Sequence, residues 1–225
     1  MIDTGKRDIK SYVLRVGRLS KLQQRAVDTL SNDYCIPFQT EILKFEEVFG
    51  NNNPVVMEIG FGMGHATVEI ADKNRYINYI AIEVHTPGVG KVLSEIEKRN
   101  LSNIRIIQYD AVQVIRKMIP LNSLQGVHIF FPDPWPKKKH HKRRLIQNDF
   151  VKELILLIKK GGYLYIATDW EDYARQILLV LDQLPKLNNP YNNFAKKPGW
   201  RPDTSFEKKG LAKNHTIRDI WYEVQ

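Results

Sequence analysis

From Val55 to Thr168 the chain alternates short, unbroken apolar runs with stretches of helical character, and this alternation restricts the fold more than any other feature. The runs fall at 55–60 (VVMEIG), 76–84 (YINYIAIEV), 104–109 (IRIIQY), 126–131 (GVHIFF) and 162–168 (GYLYIAT). Helical candidates lie between and after them at 64–72, 88–99, 111–118, 145–159 and 170–184. Continuous apolar strands alternating with helices mean βαβ units and a mostly parallel sheet buried on both faces. Gly161-Gly162 reads as the stop of the fourth helix. A further helix is expected from about Pro37 to Phe49, ended by Gly50-Asn51-Asn52-Asn53-Pro54. Residues 185–210, rich in Pro, Asn and Lys, read as a long excursion before a last strand at 217–225 (IRDIWYEVQ).

A chain of 225 residues holds one substantial α/β core. Residues 1–35, with weak periodicity, read as a basic N-terminal arm, and 36–225 as a single folded domain. No apolar stretch approaches the roughly 20 residues that span a bilayer, and the N-terminus lacks the apolar core of a signal peptide. A single cysteine, Cys35, cannot form an internal disulfide, and no Cys/His cluster has metal-ligand spacing. A reducing, cytoplasmic setting is therefore expected, with no membrane and no metal. The net charge of +9 is local. Residues 137–144 (KKKHHKRR) hold six Lys/Arg and no acid, and residues 1–25 hold seven Lys/Arg against two acids, leaving the rest about neutral. Such concentration points to a polyanionic partner.

After the first strand comes Glu58-Ile59-Gly60-Phe61-Gly62-Met63-Gly64. Glycines let the backbone turn sharply and let a ligand approach. The dinucleotide fingerprint wants glycines at the first, third and sixth positions; here the third glycine comes at the fifth, against a nicotinamide or flavin cofactor. No Gly-Lys-Ser/Thr follows, so a P-loop is excluded. Three acids end consecutive strands: Glu58, placed to accept from a cofactor ammonium; Glu83, placed for two ribose hydroxyls; and Asp110, beside an adenine amino group. Each alone fits an N-cap or a surface acid as well. Together, where open α/β sheets bind ligands, they favour S-adenosylmethionine.

The fourth strand runs into Phe130-Phe131-Pro132-Asp133-Pro134-Trp135-Pro136. Three prolines in five residues stiffen the loop. Its position suits an acceptor loop that holds a base between aromatic and proline surfaces.

The set EIGFGMG, EVHTPGVG, FFPDPWPKKKHHKRR, TDWEDYA and TSFE, in that order, resembles the bacterial tRNA (guanine-N7-)-methyltransferase family, which modifies guanosine 46 in the variable loop. SYVLRVGRLSKLQQRA resembles that family's N-terminal segment, so the likeness runs from about Ser11 to Tyr222. Pro136 departs from it, since relatives often carry histidine there. The resemblance implies a class I, Rossmann-like S-adenosylmethionine-dependent fold: a mostly parallel seven-stranded sheet, helices on both faces and an antiparallel last strand. It implies that Glu58, Gly60, Gly62, Gly64, Glu83, Asp110 and Asp133 surround the cofactor, with Asp133 also catalytic. Lys137, Asp169 and the stretch Thr204, Ser205, Phe206 and Glu207 match substrate-binding positions, and Lys139, His140, His141, Lys142, Arg143 and Arg144 match an RNA-contacting region. Asp169 also fits a helix N-cap, and Thr204 to Glu207 a capping box. The implied partner is tRNA; monomer and homodimer both stay open.

Overall fold

The computed structural model describes residues 10–13 and 17–225. Strands β1 (Val55–Ile59), β2 (Asn78–Ile82), β3 (Ile104–Ile107), β4 (Leu124–Phe130), β5 (Ile158–Thr168), β6 (Leu187–Asn188) and β7 (Arg218–Val224) form one sheet in the order β3-β2-β1-β4-β5-β7-β6. The first five pair in parallel, and β7 enters antiparallel between β5 and β6. Helices α1 (Lys21–Tyr34), α2 (Phe45–Phe49), α3 (His65–Lys73), α4 (Thr86–Arg99), α5 (Ala111–Lys117), α6 (Asn148–Ile155), α7 (Glu171–Asp182) and α8 (Ser205–Leu211) complete it. The expected seven-stranded, mostly parallel sheet with an antiparallel last strand is thus present.

Strand residues alternate between two cores. Met57 and Ile59 of β1 pack with Val114 of α5, Leu154 of α6 and Ile177 of α7. Val56 faces the other way, toward Ala26 of α1, Ile70 of α3 and Leu93 of α4. Burial on both faces explains why the strands read as unbroken apolar runs. Because β1 lies between β2 and β4, the strand order reverses there, and a crevice opens beyond the carboxyl ends of β1 and β4.

Three expectations fail. Residues 1–35 are not all arm: α1 starts at a Ser20/Gln23 capping box and packs on α4, with Ala26 fully buried and Gln23 Nε2 donating to the Pro87 carbonyl at 3.0 Å. Within 37–49 only Phe45–Phe49 is helical; the chain arrives from the sheet edge, where Cys35 bridges to Ile106 and Ile36 N donates to Ile106 O at 2.8 Å, and Leu43 N donates to Met118 O at 2.8 Å. Gly161-Gly162 stops no helix, since α6 already ends at Ile155. Both glycines lie in β5, where the register jumps from Ile158 opposite Leu124 to Tyr163 opposite Gly126, and Gly161 takes φ +76°.

Candidate active site

The glycine turn after β1 is left-handed at Gly60 (φ 76°), Gly62 (φ 58°) and Gly64 (φ 69°). A Cβ on Gly60 would meet nothing within 4 Å, so the backbone there stays open to a ligand, whereas one on Gly64 would sit 2.0 Å from Val92 Cγ2. The turn is tied to β2 by Glu83, whose carboxylate accepts from Gly62 N at 2.7 Å, Val84 N at 2.7 Å and His85 N at 3.1 Å. Three amide donors hold this carboxylate at the mouth of a cleft that Tyr12, Tyr109, Phe131 and Asp133 also line.

Glu58 lies inside, 3% exposed, on the β1 face turned toward α3 and α4, and borders a second cleft with Gly64, His65 and Phe206. Burial pushes its carboxyl up to about 7, partly countered by the Thr67 side chain and helped by the Glu83 charge. No ion pair to a cation of the described residues engages it. A buried acid without a cation beside an open glycine turn fits the ammonium end of S-adenosylmethionine, and Glu83 fits its ribose. Asp110 is the N-cap of α5, its Oδ1 accepting from Val112 N at 2.9 Å. It borders a neighbouring basic cleft with Lys10, Ser11, Lys142 and Arg143 rather than the main one.

The loop at 131–136 is strained. Phe131 (φ 53°) and Trp135 (φ 44°) are bulky residues in left-handed conformations, which cost about 1–2 kcal/mol each and persist only where contacts enforce them. Phe131 N donates to Ala167 O at 2.7 Å, and Arg144 Nε to Pro134 O at 2.8 Å. Trp135 Nε1 donates to Ser11 O at 3.0 Å, and the Arg143 guanidinium lies 3.9 Å from the Trp135 ring while donating to the carbonyls of Lys10 and Tyr12. The segment Lys10–Tyr12 is thereby strapped across the main cleft. Asp133 is exposed at the rim of that cleft.

The basic run forms a 3-10 turn, Lys138–Arg143, whose side chains divide in purpose. Lys137, Lys139 and Lys142 are exposed, His140 and His141 half-buried. Desolvation and flanking cations push His140 below its ordinary value, so it adds little positive charge near neutral pH. Arg143 holds the strap. Arg144, expected among the RNA contacts, is corrected here: it is 2% exposed, paired with Asp172 at 2.6 Å and Gln176 at 2.5 Å, and stacked over Tyr173. Lying at the end of the 3-10 turn, its guanidinium faces α7 and braces the 131–136 loop through the Pro134 carbonyl.

Helix α8 brings the TSFE segment to the cleft. Thr204 is its N-cap, accepting from Glu207 N at 3.0 Å, and Ser205 and Phe206 border the Glu58 cleft. The Phe206 ring, 57% exposed, stands 6.4 Å from that of Phe131 and 20° from parallel. Glu207, expected to bind substrate, turns inward instead: it is 4% exposed and takes Arg201 and Lys197. Asp169 is not a cap, since Trp170 holds that position; its Oδ2 faces His215 Nδ1 at 3.1 Å. Sequence reasoning missed Arg201, Tyr165 and Asp219, a buried network below α8 with no spacing signal because its members meet only in three dimensions.

Comparison with known proteins gives the family and the fold. A family described as putative methyltransferase matches residues 52–220. The chain is 50% identical over 214 residues to the tRNA (guanine-N(7)-)-methyltransferase of Nitrosospira multiformis, covering 95% of this chain and 93% of the relative. It is 51% identical over 212 residues to the enzyme of that name from Nitrosomonas europaea, covering 94% and 95%. Among solved structures, the 16S rRNA methyltransferase KamB shares the fold, with a TM-score of 0.61 at 13% identity over 82% of this chain and 95% of that one. With a glycine turn, three strand-end acids and an aromatic, proline-rich loop around the carboxyl ends of β1 to β4, and relatives at half identity over nearly the whole length, the chain belongs to the tRNA (guanine-N(7)-)-methyltransferase family.

Proposed function

We propose that this protein transfers the methyl group of S-adenosylmethionine to N7 of a guanine in tRNA, with guanosine 46 of the variable loop as acceptor. The observation that carries the site reading is the pair Phe131 and Phe206, 6.4 Å apart and near parallel beside the glycine turn. A base stacked on both sides needs about 7 Å, twice the base-stacking rise, so a small opening of the pair admits one. Flipped bases are commonly held between aromatic faces.

Guanine N7 carries a lone pair and no hydrogen, so it needs no base to deprotonate it. The sulfonium supplies an activated methyl group and loses its charge as the purine gains one. Asp133 at the cleft rim orients the purine and offsets the growing positive charge, without accepting a proton. Glu58 takes the cofactor ammonium, Glu83 the ribose, and the glycine turn leaves room for both. Asp110, whose Oδ1 caps α5, would have its other oxygen for the adenine amino group. With Glu207 turned inward, Asp169 is the remaining carboxylate at the end of β5 for the Watson–Crick edge of guanine. Exposed Lys137, Lys139 and Lys142 grip phosphates. The setting proposed is the cytoplasm, as monomer or homodimer; no helix among the described residues is long and apolar enough to cross a membrane.

Incubation with labelled S-adenosylmethionine and unmodified tRNA, followed by nucleoside analysis, tests the assignment. Label in 7-methylguanosine at one variable-loop position is expected; label in another nucleoside, or none, overturns it.

A further inference from the structure

Helix α8 carries Phe206 to the cleft, yet its own packing is sparse. Only Glu207 and Gly210 are buried among its seven residues. Gly210 rests on Asp169, where a Cβ would fall 2.9 Å from Oδ2. Glu207 is the stronger tether. Its carboxylate accepts from Arg201 Nη1 at 2.5 Å, Arg201 Nη2 at 3.3 Å and Lys197 Nζ at 2.9 Å.

Arg201 has no side-chain exposure and uses the other side of its fork on the sheet. Its Nε donates to the Tyr165 hydroxyl of β5 at 2.5 Å, and Nη2 lies 3.1 Å from Asp219 Oδ1 of β7. Tyr165 in turn donates to the same Asp219 oxygen at 2.5 Å. A planar five-donor guanidinium is the side chain able to satisfy a hydroxyl and two carboxylates at once. The arrangement joins the rigid β5–β7 pair to the first turn of α8, one residue after Phe206.

We infer that Arg201 is a positioning residue for the transfer reaction: through Glu207 it sets the angle and height of α8, and so the distance between Phe206 and Phe131 that receives the acceptor base. The inference rests on the proposed function for its acceptor. Glu207 then serves as the handle of α8 and makes no contact with guanine.

A double-mutant cycle with a second, activity-independent readout tests it. Arg201→Lys keeps the charge and loses the fork; Glu207→Gln keeps the shape and loses the charge. Each single variant should lower kcat/KM for tRNA roughly 10- to 100-fold, the range expected when a reacting group is misplaced by about an ångström. The double variant should be no worse than the poorer single, because both remove one tether. In both singles, amide exchange at 205–211 should accelerate while β5 and β7 stay protected. Activity loss in Glu207→Gln with Arg201→Lys near wild type would mean that Glu207 reads the base itself, and would overturn the inference. Additive losses, or unchanged exchange in α8, would overturn it as well. If Arg201→Lys does not fold, Tyr165→Phe, which removes one hydroxyl from the same network, takes its place in each measurement. Should the wild-type chain fail to methylate tRNA, the acceptor reading falls, and the exchange experiment still decides whether Arg201 anchors α8.

Discussion

Replacing Glu58 by Gln separates a cost to the fold from a benefit to the cofactor. The carboxyl is raised from an ordinary value of 4.5 to about 7 because it is buried without a cation. An acid whose pKa is raised by folding binds its proton more tightly in the native state, so stability is fully present below 4.5 and is lost as pH rises through 7. The difference of about 2.5 units corresponds to about 3 kcal/mol, a large share of a domain's stability. In denaturant titrations without cofactor, the wild type should lose about that amount between pH 4.5 and 7.5 relative to Glu58→Gln. Cofactor binding should run the other way. Because an ammonium ligand needs the ionised carboxylate, calorimetric affinity in the wild type should weaken roughly 25-fold from pH 7.5 to 5.5. At pH 7.5 the variant should bind roughly 10- to 150-fold more weakly, the worth of a charge-assisted hydrogen bond, and its affinity should be flat with pH. Parallel pH profiles for the two proteins, in stability or in binding, would refute the reasoning.

Four further outcomes follow from named contacts. Asp133→Asn should depress turnover at least tenfold with little change in cofactor affinity, measured by single-turnover kinetics and calorimetry; near-normal turnover would remove Asp133 from the chemistry. Lys139→Ala with Lys142→Ala should weaken tRNA binding and flatten the log-affinity against log-salt slope by about 1.5, and an unchanged slope would make the run a solvated face only. Arg144→Met should cost about 1–3 kcal/mol of stability, since it removes the bonds to Gln176 and to the Pro134 carbonyl and frees the loop, while Asp172, exposed on α7, is left to water; a loss confined to RNA affinity would contradict its buried placement. Trp135→Phe keeps a ring under Arg143 but loses the 3.0 Å bond to Ser11 O, and should speed cofactor dissociation severalfold in stopped-flow measurements if the strap retains the cofactor.

The parts of the fold that were legible in advance are those whose signal is local. Runs such as VVMEIG and GYLYIAT declare buried strands because a parallel strand must be apolar on both faces, and the glycine spacing at Gly60, Gly62 and Gly64 declares a turn because only glycine accepts those φ values freely. The capping box at Ser20 and Gln23 was equally local, yet weak periodicity hid it: of the fourteen residues of α1 only Ala26 is buried. Segment 37–44 carries no comparable local signal: Leu43 N donates to Met118 O at the end of α5, a partner that only the fold supplies. At Gly161 and Gly162 the signal of a helix end coincides with that of a bulge, since both ask for a positive φ, which Gly161 takes.

For the site, the sequence alone shows which residue types are present and roughly where they stand. Strand-end acids, an aromatic proline-stiffened loop and a basic run are each written within a few residues, and their order along the chain carries the family likeness. What it left undecided is which way each side chain turns. Arg143 and Arg144 are neighbours of the same type, yet one clamps the Lys10–Tyr12 strap and the other lies buried against α7. Glu207 and Phe206 are also neighbours, yet one faces Arg201 and the other the cleft. Those choices depend on partners 28 to 133 positions away for the arginines and on the surrounding helices and strands. Long-range packing sets them, because a buried charge must find its counter-charge and a single chain position does not encode where that will be.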